Sequence, residues 1–456
     1  MEGARKCTLR GLLLLCMQAV SILQLATAGS GTDGRRYVLS ADLGTESCRV
    51  GVCDKAGELI STSSCPYPTT YPQAGWAEQD PRDWETSLQT ACTAALQDKN
   101  ITPAEILGIC VDTTACSVVA LDADKRPLRK CLLWCDARSA RQTEAILRLG
   151  AGDPHLQVNN AGAGPMSAEW MLPKALWVKE NEPEVWAAAA HVCEKNDYVN
   201  FLLTGELVAS GCNTAARWNF IGAQRPESLL QKLGMEDLLG KWPRRRVAMG
   251  ELVGGLTADA AGRLHLLAGT PVFQGGPDAY VGMIGLGASE PRKMALITGS
   301  SHLHLCVSDS VHHGDGFWGS YTDAPLAGLS FAEGGQSSTG SLLQWARRLF
   351  GGASSLAELD DEAARVPIGS EGVLALETFQ GSRTPITDPL YRGALVGLSL
   401  FHTRGHVWRA LLESICLGTR ACVEALSAAG LGADELYVGG GAVRSELFIQ
   451  VTLPPT

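Results

Sequence analysis

Asp278 is the only charged residue in Gln274-Gly-Gly-Pro-Asp-Ala-Tyr-Val-Gly-Met-Ile-Gly-Leu-Gly-Ala288, a stretch with five glycines. Gly, Pro and Asp are turn formers, so the local composition reads as a turn. A lone carboxylate among small residues also meets the first requirement of a general base, because a hydroxyl can come within hydrogen-bond distance of it. Locally both readings stand.

Three further stretches have types and spacing suited to phosphate. Asp42-Leu-Gly-Thr-Glu-Ser-Cys-Arg49 sets a carboxylate at a strand end beside a Gly-Thr turn, with Arg49 seven residues on. Such a hairpin can offer backbone N–H groups and hydroxyls to a phosphate while the Asp holds Mg²⁺ through water. Gly299-Ser300-Ser301 can do the same from the second half of the chain, and Gly439-Gly440-Gly441 lets backbone approach a flat or charged ligand. Each alone is an ordinary turn. In symmetric positions the three point to a nucleotide held between two domains. Phosphoryl transfer then needs shielded phosphates, an in-line hydroxyl and a base, and Asp278 meets the last requirement. His302 and His304 share one strand face, but no third ligand stands near them in the sequence, so no metal is expected there.

The elements that must carry these residues follow from periodicity. Tyr37 to Asp54 reads as strand, small polar turn, strand, and Glu58 to Thr62 as a further strand. Trp84, Leu88, Ala91 and Ala95 share one face of a helix, and Ile106 to Asp112 is a buried strand. Met294 to Ser308 repeats the strand–turn–strand pattern, followed by a segment around Phe317–Phe331 that fits no single period. A helix near Ser341 to Leu349, a long one from His406 to Ala429 and a last strand at Glu435 complete the second half. The repetition implies a duplicated α/β unit, with the boundary between Gly287 and Met294.

Bulk properties bound the rest. A chain of 456 residues exceeds what one core organises and implies two domains. Apolar residues at 45% and charged residues at 19% describe a soluble globular protein. The net charge of −10 argues against a nucleic-acid partner, and the one basic block, Arg244-Arg245-Arg246, reads as a solvated loop. Fifteen cysteines without a C-x-x-C pair read as reduced, buried thiols rather than a zinc site. Residues 1–28 have a basic start, an apolar run and an Ala26-Thr-Ala28 ending, the layout of a cleaved leader that leaves no membrane span. The leader implies the secretory route or a bipartite, plastid-type organelle leader, whereas reduced thiols favour cytosol or stroma for the mature chain.

Taken in order, the motifs resemble the FGGY family of carbohydrate kinases, from about Tyr37 to Val451. The motifs that carry the resemblance are Asp42-x-Gly-Thr-x-Ser-x-Arg49, Gly75-Trp-Ala-Glu-Gln-Asp-Pro81, Gly275-Gly-Pro-Asp278, Gly299-Ser-Ser301 and Gly439-Gly-Gly441. The resemblance implies duplicated actin-like, ribonuclease-H-like ATPase domains with a cleft between them. The N-terminal domain would span 37–288 and hold the sugar and the base, and the C-terminal domain would span 293–456 and hold ATP. Val111-Asp-Thr-Thr-Ala-Cys116, Cys193-Glu-Lys-Asn-Asp-Tyr-Val199 and Ala332-Glu-Gly-Gly-Gln-Ser337 are similar to the ribulokinase subgroup.

By that resemblance Asp278 is the catalytic base and Asp42 the Mg²⁺ ligand. Gly44, Thr45, Ser47, Arg49, Gly299, Ser300, Ser301, Gly440 and Gly441 would hold ATP, and Ala115, Arg217 and Glu333 would contact a ketopentose together with Asp278. Arg217 stands where related kinases carry Lys. The implied function is ATP-dependent phosphorylation of ribulose. Xylulose or another sugar of the family, or a weakly active sugar- or nucleotide-binding paralogue, are the alternatives, and the resemblance leaves room for a homodimer. The chain ends soon after the third glycine loop, where family members continue, which implies a shortened C-terminal domain.

Overall fold

The computed structural model describes residues 36–157, 166–352, 354–388 and 390–452; the leader expected over 1–28 and the final four residues lie outside these. The described chain divides into two compact units. One comprises 36–285 with Tyr321–Ser330, the other Leu286–Ser320 with 331–452.

The first unit is built on a six-stranded sheet. β1 (Tyr37–Leu43), β2 (Ser47–Asp54) and β3 (Leu59–Pro66) form an antiparallel meander. Its second turn is fixed by Asp54, whose Oδ1 accepts from the amides of Ala56 and Glu58 at 2.9 Å each. α1 (Pro81–Asp98) starts where Asp80 accepts from the Arg82 amide and Pro81 fills the first helical position. It buries Trp84, Leu88, Ala91 and Ala95, the face that the spacing predicts. This helix makes the crossover that lets β4 (Ile106–Thr113), buried at every position, lie parallel to β1.

β5 (Val118–Leu121) and β6 (His191–Glu194) pair antiparallel in a smaller sheet and lead into α2 (Lys195–Thr204) and α3 (Gly211–Arg217). β7 (Leu252–Gly255) and β8 (Pro271–Pro277) complete the large sheet in the order β7-β8-β4-β1-β2-β3, with β8 parallel to β4. α4 (Asp278–Gly285) follows β8 directly, so Asp278 is not a turn residue but the first residue of a helix.

The second unit repeats the motif. β9 (Lys293–Thr298) and β10 (His302–Ser308) form a hairpin, and β13 (Glu435–Gly440) lies parallel to β9. The unassigned segment resolves into β11 (Trp318–Thr322) and β12 (Ser330–Gln336), giving the order β11-β12-β10-β9-β13. Over this sheet α5 (Gly340–Leu349), α6 (Leu356–Ala364), α7 (Arg404–Ala428) and α8 (Glu446–Thr452) bury Leu342, Leu359, Trp408, Leu412 and Phe448 in a common core.

Three expectations change or gain detail. The Arg triplet is not simply solvated, because Arg246 donates to Thr214 Oγ1 at 2.9 Å and to the Gly222 carbonyl at 2.7 Å. Twelve described cysteines are free and ten of them buried, but Cys53 is disulfide-bonded, a departure from the all-reduced expectation. Among the described residues no helix is long and apolar enough to cross a membrane.

Candidate active site

Three parallel strands, β1, β4 and β8, lie side by side, so their C-terminal ends share one edge of the sheet. That edge carries three carboxylates. Asp42 and Asp112 are register partners on β1 and β4, and Asp278 follows Pro277, which pairs with Thr113. Gly275 makes this close packing possible, since a Cβ there would overlap the Val111 carbonyl of β4, and one at Gly276 would meet the Met249 methyl. Gly275 therefore serves strand packing, not the clearance for a ligand that the sequence suggests.

The electrostatics differ along the edge. Asp42 and Asp112 are buried, each with an Oδ1 that has no hydrogen-bond partner. Arg49 Nη1 reaches Asp42 Oδ2 at 3.2 Å. Burial raises the Asp42 carboxyl, and it raises Asp112 well above the carboxylate range, with the Asp42 and Asp278 charges pushing Asp112 further. Asp278 is different. Its side chain reaches solvent while protein crowds it on the other sides, and Oδ1 accepts from the Ala279 amide at 2.7 Å. The crowding, then the Asp42 charge, raises its carboxyl to about 7, against the pull of Lys195 and Arg49. An accessible carboxyl that titrates near neutrality suits a general base.

The pair Asp42 and Asp112 also fits a hard cation. Mg²⁺ takes one or two carboxylates and completes its shell with water and phosphate oxygens. Two buried carboxylate oxygens without partners are donors of that kind. Among the described residues no cluster of three or more His, Cys, Asp or Glu could hold a metal, so an all-protein cage is not offered.

The loop after β1 is held from below. The Gly44 carbonyl accepts from Tyr67 Oη at 2.6 Å and from Lys195 Nζ at 3.1 Å. Thr45 is engaged too: its Oγ1 accepts from Trp134 Nε1 at 2.9 Å and its carbonyl from Gln79 Nε2 at 2.6 Å. Ser47 is half-buried and its carbonyl accepts from the Gly44 amide at 3.1 Å, while Arg49 lies half-exposed. Lys195 is the residue that sequence reasoning missed. Fully buried, with Trp84 and Tyr67 rings 4.5 and 4.8 Å away, its ammonium is pushed down to about 8 by desolvation. The only signal available was its place in Cys193-Glu-Lys-Asn-Asp, and nothing local shows that it is buried.

The sugar candidates divide. Ala115 sits half-buried in the turn between β4 and β5, where Cys116 has a left-handed φ of 59°. Arg217 ends α3 and donates from Nη2 to Tyr280 Oη at 2.7 Å and from Nη1 to Tyr321 Oη at 3.0 Å, with the Trp170 ring 5.4 Å away. Tyr280 is on α4, two residues after Asp278, so the guanidinium and the base share one helix as reference. Glu333 is buried on β12, in the other unit.

The second unit holds a cavity of about 860 Å³. Gly299 and Ser300 from the β9–β10 hairpin, the start of α5 at Gly340 and Ser341, and Gly441 after β13 all line it. Leu343, Leu356, Trp408, Leu412 and Phe448 supply apolar wall. The Gly340 and Ser341 amides are taken by the Gly299 and Ser300 carbonyls at 3.2 and 3.1 Å, so the cavity offers small-residue backbone beside an apolar wall, which suits a flat ring system. Ser301 and Gly440 are not among the residues that line the cavity. Gly440, at φ 97°, is glycine because a Cβ would overlap the Thr298 carbonyl. His302 was not expected to contribute but lines the cavity. Burial holds its ring near 4, hence neutral, and it packs edge-on to Phe448.

The stretch that carries the carboxylate edge and the stretch that carries the glycine-lined cavity fall in two separate family matches. Residues 37–285 match the N-terminal domain of the FGGY family of carbohydrate kinases, and residues 294–452 match its C-terminal domain. The chain belongs to this family. It is 29% identical over 413 residues to a ribulokinase of Bacillus licheniformis, covering 82% of this chain and 72% of that one. It is 31% identical over 472 residues to an FGGY carbohydrate kinase domain-containing protein of Danio rerio, covering 91% and 84%. Among solved structures, the xylulose kinase from Rhodospirillum rubrum superposes with a TM-score of 0.78 at 27% identity, covering 91% of this chain and 84% of that one. This FGGY chain is therefore a sugar kinase with actin-like ATPase architecture, and ATP and a sugar are its substrates.

Proposed function

We propose that this kinase transfers the γ-phosphoryl group of Mg·ATP to a terminal hydroxyl of a ketopentose, with ribulose as the preferred sugar. The observation that carries the reading is Asp278, an accessible carboxyl raised to about 7 and set two residues from the tyrosine that orients Arg217. Asp278 takes the proton of the sugar hydroxyl as that oxygen bonds to the γ-phosphorus and the bond to ADP breaks. Ala115 and Arg217 hold the sugar, and Gly44 to Arg49 guide the transferred phosphate. Gly299, Ser300 and Gly441 hold the donor nucleotide. Asp42 and Asp112 hold Mg²⁺, which when bound neutralises charge on the transferring phosphates.

Ribulose is favoured by the ribulokinase relatives, and a 29% identical xylulose kinase of Lactococcus lactis keeps xylulose as the second candidate. The test is coupled ADP release with D-ribulose, L-ribulose and D-xylulose. The reading expects at least tenfold higher kcat/KM for a ribulose than for xylulose. Preference for xylulose would move the assignment to the second sugar, and no sugar-dependent ADP release would remove both.

A further inference from the structure

The start of α2 packs two opposite, fully buried charges side by side in sequence, Glu194 and Lys195, and the base and cation readings use neither as a chemical group. They reach in different directions. Glu194 Oε2 accepts from the Cys116 amide at 2.7 Å and from Asn213 Nδ2 at 2.9 Å, and Oε1 accepts from Trp218 Nε1 at 2.6 Å. One carboxylate thus ties the turn that carries Ala115 to the helix that ends in Arg217. Cys116 needs such a tie, because a non-glycine residue with φ 59° is held there only when its surroundings fix it. From the other side Lys174 Nζ donates to the Cys116 carbonyl at 2.7 Å. Lys195 points the opposite way, to the Gly44 carbonyl, Tyr67 Oη and Gln79 Oε1 at 3.1, 3.1 and 3.5 Å.

The backbone of the dipeptide is also engaged. The Lys195 amide donates to the Ser117 carbonyl at 2.8 Å, and the Glu194 amide to Asp197 Oδ2 at 2.9 Å. The next residue, Asn196, donates to the Val111 carbonyl at 3.0 Å and pairs with Gln274, so the same turn also grips β4 and β8 just before Asp112 and Asp278. Buried ions of this kind are costly to dehydrate and contribute little net stability, so their retention calls for another role.

We propose that Glu194 and Lys195 are positioning residues with separate duties: Glu194 sets the sugar contacts, Lys195 sets the first phosphate loop, and the α2 start keeps the two in register. The inference rests on the proposed roles of Ala115, Arg217 and Gly44. It requires a double dissociation in steady-state kinetics. Glu194→Gln keeps the shape but removes the charge and turns one acceptor oxygen into an NH2 that faces another N–H donor, and should raise the sugar KM roughly tenfold while the Mg·ATP KM stays within about twofold. Lys195→Met should lower kcat roughly tenfold or more with sugar KM nearly unchanged.

Because a buried charge variant can fail to fold, gentler partners carry the same test. Trp218→Phe removes one donor to Glu194 and should move the sugar KM alone, and Tyr67→Phe removes the hydroxyl shared by Lys195 and Gly44 and should move kcat alone. Thermal unfolding of each variant is measured alongside. Variants that lose melting temperature with both kinetic constants shifted in parallel, or with neither shifted, would overturn the inference. Wild-type protein without sugar-dependent ADP release would instead overturn the functional reading on which it rests.

Discussion

The two hairpins that open the two units have the same topology and opposite chemistry. In each, a strand pairs antiparallel with its successor and parallel with a later strand, β1 with β2 and β4, β9 with β10 and β13. At the ends of β1 and β4 stand Asp42 and Asp112; at the ends of β9 and β13 stand Thr298 and Gly440, themselves register partners. Thr298 Oγ1 donates to the Gly439 carbonyl at 2.7 Å and accepts from the Ala442 amide at 3.0 Å, so it organises backbone and adds no charge. One scaffold therefore presents carboxylates at one strand edge and neutral backbone at the other, the contrast on which the proposed division between base and cation in one unit and nucleotide in the other rests. Duplication supplies the frame, and a few strand-end residues divide the labour.

That contrast can be broken in graded ways. The largest effect is expected at the charged edge. Asp278→Asn should lower sugar-dependent turnover by about 10²- to 10⁴-fold, the range of a general base, while sugar binding by thermal shift is retained. Asp42→Asn comes next, with turnover falling roughly a hundredfold and the remaining activity requiring more Mg²⁺, read from a magnesium titration of ADP release. Its topological counterpart, Thr298→Val, should raise the Mg·ATP KM about fivefold and leave the sugar KM unchanged, since two hydrogen bonds of about 1 kcal/mol each organise that loop. If Thr298→Val instead matched Asp42→Asn in turnover and magnesium response, the division between the units would fail.

The smallest effects concern stability. Gly440→Ala forces a Cβ into the Thr298 carbonyl at a left-handed φ and should cost about 1–3 kcal/mol in urea unfolding. Gly44→Ala places its Cβ in ordinary contact, 3.5 Å from Asp42 Oδ1, and should cost under about 1 kcal/mol.

Much of this was legible in the sequence because hairpins with small polar turns announce themselves through period-two strands and Gly, Ser and Thr between them. Asp42, Gly299 and Ser300 were singled out that way, Asp278 as a lone carboxylate among glycines and Gly441 as part of a glycine run after a strand, and the α1 face followed from four residues at helical spacing. What stayed hidden has a common cause. Lys195 lies 151 residues from Gly44, and Glu194 lies 78 from Cys116, so their burial depends on partners that no local pattern names. The strands β11 and β12 escaped assignment because Gly and Ser interrupt their alternation. Gly275 and Gly440 were read as ligand clearance, yet each is required by a neighbouring carbonyl that arrives from a distant strand.

The central claim is that Asp278 acts as the base, and the pH dependence of kcat/KM for the sugar tests it most directly. A carboxyl raised to about 7 is protonated and inactive below that pH and ionised and active above it. The profile should therefore climb about tenfold per pH unit on the acid side and level off above about 7, and Asp278→Asn should remove this limb. A wild-type profile that is flat across this range, or a limb that survives unchanged in Asp278→Asn, would contradict the account.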